Sequence, residues 1–117
     1  MEKWRKLKVW QKSHFLVLDI YKITKHYPKE ECYCLVSQMR RASISVVANI
    51  VEGSKRKTNK DQKHFHVISD TSLEELKYYF ILSYELNYIT AEQGKELMEK
   101  AREIGRMLNG LILYLSK

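Results

Sequence analysis

Lys55, Arg56, Lys57, Lys60 and Lys63 place five cations within nine residues. Thr58, with Asp61 three residues later, has the pattern of a helix N-cap and its capping box, so the cluster straddles a loop and a helix start. Free backbone N–H groups and the positive end of the helix dipole would add to the side-chain charge there, a setting that suits phosphate. Arg40 and Arg41 lie upstream, and Lys3, Arg5, Lys6, Lys8 and Lys12 crowd the N-terminal arm. Neutralising several phosphates in this way gives salt-sensitive, largely sequence-independent binding. The candidate nucleic-acid-binding set is Arg40, Arg41, Lys55, Arg56, Lys57, Lys60 and Lys63. Consecutive helix positions diverge by about 100°, so one of the two arginines is expected to face a neighbouring helix and pair with a carboxylate such as Glu52 or Glu74. No aromatic RNP pattern, GXXG loop or zinc finger accompanies the cluster.

Other chemistries find less support. Cys32 and Cys34 are separated by one residue, and His64 and His66 likewise, which is not the spacing of structural zinc sites. A di-iron bundle needs two Glu-x-x-His pairs, and the chain has none. Asp61 and His64 form one Asp-x-x-His pair, better explained by Asp61 as a capping residue. The glycines at 53, 94, 105 and 110 are too scattered to cradle a phosphate as a loop. Glu30-Glu31 and Glu74-Glu75 are adjacent and so diverge on a helix, and no serine or cysteine has a recognisable base and orienter. The expectation is no catalytic residue, no cofactor, no metal and no small-molecule substrate.

The chain has 117 residues and a net charge of +7, with 44% hydrophobic side chains and one proline. That supports one packed core rather than disorder. Residues 1–63 hold 15 Lys/Arg against 6 Asp/Glu, and residues 64–117 hold 6 against 8. The basic half points to a polyanionic partner, RNA or DNA, and the alternative is a protein-interaction scaffold on which the charge is incidental. Two cysteines without a framework and a charged N-terminus in place of an apolar leader imply a cytoplasmic protein. The uncharged stretches Ala42–Val51 and Met107–Ser116 are too short for a membrane span.

Four helices must position these groups. Val9, Leu16, Ile20, Ile23 and Tyr27 form a helical stripe that Pro28 ends, predicting a first helix over about 9–27. The second is predicted over about 35–52, with small residues that let a neighbour approach and Gly53 as a left-handed C′ residue. Phe65, Ile68, Ser72, Leu76, Tyr79, Ser83 and Leu86 predict a third over about 59–87. Thr90 and Gln93 form a capping box for a fourth over about 91–116, with a seam of Leu97, Ala101, Ile104, Leu108, Leu111 and Leu115. Short connectors favour an all-α, antiparallel up-down-up-down four-helix bundle filling residues 1–117 as a single domain. Trp4, Trp10, Phe15, Tyr21 and Tyr78-Tyr79 exceed what one small core obviously needs, which points either to oligomerisation or to amphipathic rings half-buried in the monomer.

Several blocks resemble the four-helix-bundle family of 23S rRNA intervening-sequence proteins. They are Leu7-Lys8-Val9-Trp10-Gln11-Lys12, Tyr27-Pro28-Lys29-Glu30-Glu31, Ser37-Gln38-Met39-Arg40-Arg41-Ala42, Ala48-Asn49-Ile50-Val51-Glu52-Gly53, Tyr88-Ile89-Thr90-Ala91-Glu92 and Met107-Leu108-Asn109-Gly110-Leu111. Val47 departs from the family, which often has proline in this helix. The resemblance implies a homo-oligomer, often a cyclic homopentamer, with no established enzymatic activity. Some members are encoded within sequences that interrupt 23S rRNA genes, so the name records a gene location. Related small bundles bind a reverse transcriptase and nucleic acid in diversity-generating retroelements, which implies a reverse transcriptase as the partner in the scaffold alternative.

Overall fold

The backbone breaks where its residues forbid a helix. A computed structural model describes all 117 residues. Helix α1 (Lys8–Thr24) follows a 3-10 turn at Lys3–Lys6, and a second 3-10 turn at Lys29–Glu31 leads into α2 (Leu35–Ser54). Helices α3 (Asn59–Glu85) and α4 (Ala91–Leu115) complete the chain, and there is no strand. Helix α1 stops at Thr24 rather than Tyr27, ahead of Pro28, whose ring pushes the preceding residue out of helical geometry. Tyr27 instead turns inward and packs on Tyr88, with ring centroids 5.2 Å apart. The α3–α4 connection closes with Asn87 at φ 64°. The Asn87 and Tyr88 amides donate to the Tyr84 and Ser83 carbonyls at 3.0 and 2.9 Å, the paired bonds of a Schellman turn. Thr90 and Gln93 form the full capping box of α4.

Packing contacts give each neighbouring pair its direction. Met39, Ser45 and Val46 on α2 meet Ser83, Ser72 and Ser69 on α3, so numbers rise on one helix as they fall on the other. Lys12 and Asp19 on α1 meet Glu103 and Lys100 on α4 in the same opposed sense. These contacts are compatible with the up-down-up-down arrangement. The molecule measures 44 × 23 × 21 Å, close to one helix in length. No helix is long and apolar enough to cross a membrane.

The core joins residues from all four helices, including Leu16, Ile20, Met39, Ile50, Leu73, Leu76, Phe80, Ile104 and Leu108. The α3 seam differs from the expected stripe. It buries His66, Ser69, Ser72, Leu73, Leu76, Phe80 and Ser83, while Phe65, Ile68 and Tyr79 lie on its flanks and Leu86 is exposed. Size rather than hydrophobicity selects that face. The Ser45 and Ser72 hydroxyls bond each other at 2.8 Å, and Ser69 donates to the Val46 carbonyl at 2.7 Å. Serines satisfied in this way let two backbones approach closely at little desolvation cost.

Gly53 is not a left-handed cap. It is buried inside α2, and no glycine has a positive φ. A Cβ there would stand 3.0 Å from the His66 ring and 3.2 Å from the Gln62 carbonyl, so its role is close approach. Burial lowers the pKa of that histidine. Gly110, by contrast, has nothing within 4 Å of a built Cβ. Gly110→Ala is therefore expected to stabilise by about 0.5–1 kcal/mol through helix propensity, while Gly53→Ala destabilises by about 1 kcal/mol or more through overpacking. Urea denaturation of the two variants measures this opposition in sign.

Candidate nucleic-acid interface

Lys55 follows the last turn of α2, and Thr58 opens α3 by accepting a bond from the Asp61 amide at 3.1 Å. The Gln62 side chain donates to the Arg56 carbonyl at 2.8 Å and holds the loop against α3. Lys55, Lys57 and Lys60 are exposed and make no ion pair. Arg56 is oriented on two sides. Its guanidinium bonds Glu52 at 2.9 Å and lies 4.5 Å over the Phe65 ring. Both ends of that ion pair are exposed, so it orients the arginine more than it stabilises the fold. Lys63, half-buried, follows on the first turns of α3.

The N-terminal arm joins this end of the molecule. Glu2, Lys3, Trp4 and Leu7 line one concavity together with Ser54 and Lys55. The Gln11 side chain donates to the Arg5 carbonyl at 2.9 Å and pins the arm to α1. The expected set omitted the arm. Helix direction was the available signal, because neighbouring helices of opposite direction place the start of α1 beside the end of α2. Lys3, Arg5, Lys6, Lys8, Lys55, Arg56, Lys57, Lys60 and Lys63 together supply nine cations against Glu2, Glu52 and Asp61. These twelve residues therefore carry six of the chain's seven net positive charges.

The structure separates Arg40 and Arg41 from this cluster. They lie near the start of α2, and the fourteen residues from Arg41 to Lys55 span about 21 Å of helix. Arg40 is the half-buried one of the pair, but its partners are not Glu52 or Glu74. Its Nε donates to Thr24 Oγ1 at 3.1 Å, and the guanidinium lies 4.4 Å over the Tyr21 ring. Those contacts make it a clasp between α1 and α2. Arg41 is exposed. Arg40→Ala should cost about 1–2 kcal/mol of stability from the lost bond and cation–π contact, with polyanion binding unchanged. Thermal unfolding and RNA titration of the same sample check both halves.

The α1–α4 face is neutralised within the chain. Lys12 pairs with Glu103, and Lys100 lies between Asp19 at 2.8 Å and Glu96 at 3.2 Å. Donating a hydrogen bond to Asp19 raises the Lys100 pKa, and accepting one from Lys12 lowers that of Glu103. Cys32 and Cys34 are free and exposed, His64 is exposed and His66 buried. Nowhere do three His, Cys, Asp or Glu side chains converge in a way that could hold a metal ion.

A family model described as 23S rRNA-intervening sequence protein matches residues 5–110. Among solved structures, the chain is similar to a protein of unknown function from the S23 ribosomal protein family of Bacteroides thetaiotaomicron VPI-5482. The TM-score is 0.82 at 26% identity, covering 89% of this chain and 97% of that one. No curated protein matches the chain.

Proposed function

The chain belongs to the 23S rRNA-intervening sequence protein family, and from that premise we propose that it is a non-enzymatic, cytoplasmic RNA-binding accessory protein. The observation that carries this reading is the meeting of the N-terminal arm with the α2–α3 loop, which concentrates nine cations against three acids at one end. Lys55, Arg56, Lys57, Lys60 and Lys63 are the proposed contacts from the expected set, joined by Lys3, Arg5, Lys6 and Lys8. Arg40 leaves the set because its guanidinium is engaged on α1. Arg41 would contact only RNA that extends along α2. Flexible lysines and a capped helix start suit phosphate contacts that carry no sequence preference.

Self-association is part of the same proposal. Tyr78, Ile81 and Tyr84 are exposed along α3, and beside them a groove lined by Phe80 and Met98 opens between α3 and α4. A ring of protomers, a pentamer as the family resemblance implies, would bury such a face and repeat the basic end, raising avidity for one long RNA. The same groove is what favours the alternative of a scaffold that docks a protein such as a reverse transcriptase.

The test is fluorescence anisotropy of a labelled 20-nucleotide mixed-sequence RNA. Four phosphate contacts on a single strand predict roughly 50-fold weaker binding when salt rises from about 50 to 200 mM. Absence of saturable binding at low salt contradicts the proposal and leaves the scaffold.

A further inference from the structure

We propose that the basic end binds nucleic acid as a single strand, stacking unpaired bases on an aromatic strip that runs from the N-terminal arm along α1. The inference rests on the RNA-binding reading above and adds the strandedness of the ligand. Trp4 lies 5.1 Å from Trp10, which stacks parallel on His14 at 5.1 Å and 4°, and His14 meets Phe15 at 5.9 Å. Four rings thus follow one another without a gap. The Arg5 guanidinium stands 5.7 Å over the Trp4 ring. At the far end Phe15 is 62% exposed and shares a shallow concavity with Lys8, Gln11 and Lys12, of which Lys8 is the cation left without an ion pair, since Lys12 pairs with Glu103.

Folding accounts for Trp10, which packs against the core, but not for the two ends of the strip. The core is complete without Phe15, whose ring faces solvent, and Trp4 is only partly covered. Cations interleave the rings in sequence, as Lys3-Trp4-Arg5-Lys6 and Lys8-Val9-Trp10-Gln11-Lys12. Across the same end, Phe65 carries Arg56 on its face and His64 against its edge at 5.2 Å. One exposed ring and its half-exposed neighbours among cations have the composition of a single-strand site, where phosphates follow the charge and bases stack on the rings. A duplex keeps its bases stacked inside and offers this surface only phosphate, so the rings would contribute nothing to holding it.

The two tryptophans, Trp4 and Trp10, both lie in the strip, so tryptophan fluorescence, excited at wavelengths the eight tyrosines do not absorb, reports on it alone. The experiment titrates the full chain with 12-nucleotide oligouridine and with a 12-base-pair RNA duplex at about 50 mM salt. Stacked bases each contribute roughly 5- to 150-fold in affinity at such platforms, so the single strand is expected to bind at least tenfold tighter and to quench the tryptophans. The duplex should bind without quenching. The double variant Trp4→Leu/Phe15→Leu should lose about tenfold or more for oligouridine and nothing for the duplex. The aromatic pair Trp4→Phe/Phe15→Tyr should retain the preference, which separates stacking from damage to the arm.

Equal affinity for both ligands, with the leucine variant unchanged, would overturn the single-strand inference while leaving RNA binding at the basic end intact. A leucine variant that changes only the oligomeric state would overturn it too, by giving Phe15 to a second copy. No binding by either ligand would remove both readings.

Discussion

Phe80→Ala is expected to destabilise the protein by about 3–5 kcal/mol, the range for emptying an aromatic site in a packed core. Phe80 is the largest fully buried side chain, 1% exposed, on the seam where α3 packs between α2 and α4. The serines that flank this seam cannot swing in to fill the space. Ser69 and Ser72 are held by hydrogen bonds to α2, and Ser83 directs its hydroxyl at Met39 Sδ. Collapse is therefore limited, and the cost belongs in the upper part of that range. Domains of this size have total stabilities of about 5–15 kcal/mol, so the variant approaches the folding threshold. Urea denaturation measures the loss. A change below about 1 kcal/mol would show that Phe80 does not anchor the core.

Reversing Lys55, Arg56 and Lys57 together to glutamate should weaken RNA binding by about 100-fold or more at low salt, and its salt slope should become shallower by about 2. The arithmetic is local. Nine cations against three acids become six against six, so the end loses its whole excess. All three side chains are exposed, and the structural cost is confined to the Arg56–Glu52 pair and the Arg56–Phe65 contact, roughly 1 kcal/mol in all. Reversing Lys22, Lys25 and Lys29 provides the matched control. These lie near the opposite end, on α1 and the following turn, and the change in net charge is identical. Affinity within about threefold of the parent is expected there, apart from weak long-range attraction screened beyond roughly 10 Å. Equal losses in the two triples would mean that net charge alone governs binding.

Helix number and end signals were legible because they rest on local chemistry. Pro28, Thr58 and the Thr90–Gln93 box each mark an end through a backbone group they block or satisfy. The α3 seam was less legible because hydrophobic periodicity favours large apolar side chains. Here close approach to α2 selected serines, and Phe65, Ile68 and Tyr79 were left on the flanks. Gly53 misled for a related reason. A glycine near a helix end has the pattern of a cap, whereas its use is to make room for His66, a contact made across the loop.

The candidate site was legible in part. Lys55 to Lys63 are contiguous, so counting charge along the chain finds them. The arm's membership depends on which helix ends meet, a property of topology. Arg40 had the right charge and the wrong place, since Thr24 and Tyr21 engage it about 21 Å along α2 from the loop. A linear charge count cannot separate a clasp between helices from a free cation.

On the proposed function, one end of the bundle takes the polyanion. Lysine-acetylation footprinting of the full chain, with and without a saturating single-stranded RNA, tests it residue by residue. Protection is expected at Lys3, Lys6, Lys8, Lys55, Lys57, Lys60 and Lys63, with Lys22, Lys25, Lys29 and Lys95 unchanged. Uniform protection, or protection centred on Lys22, Lys25 and Lys29, would contradict it.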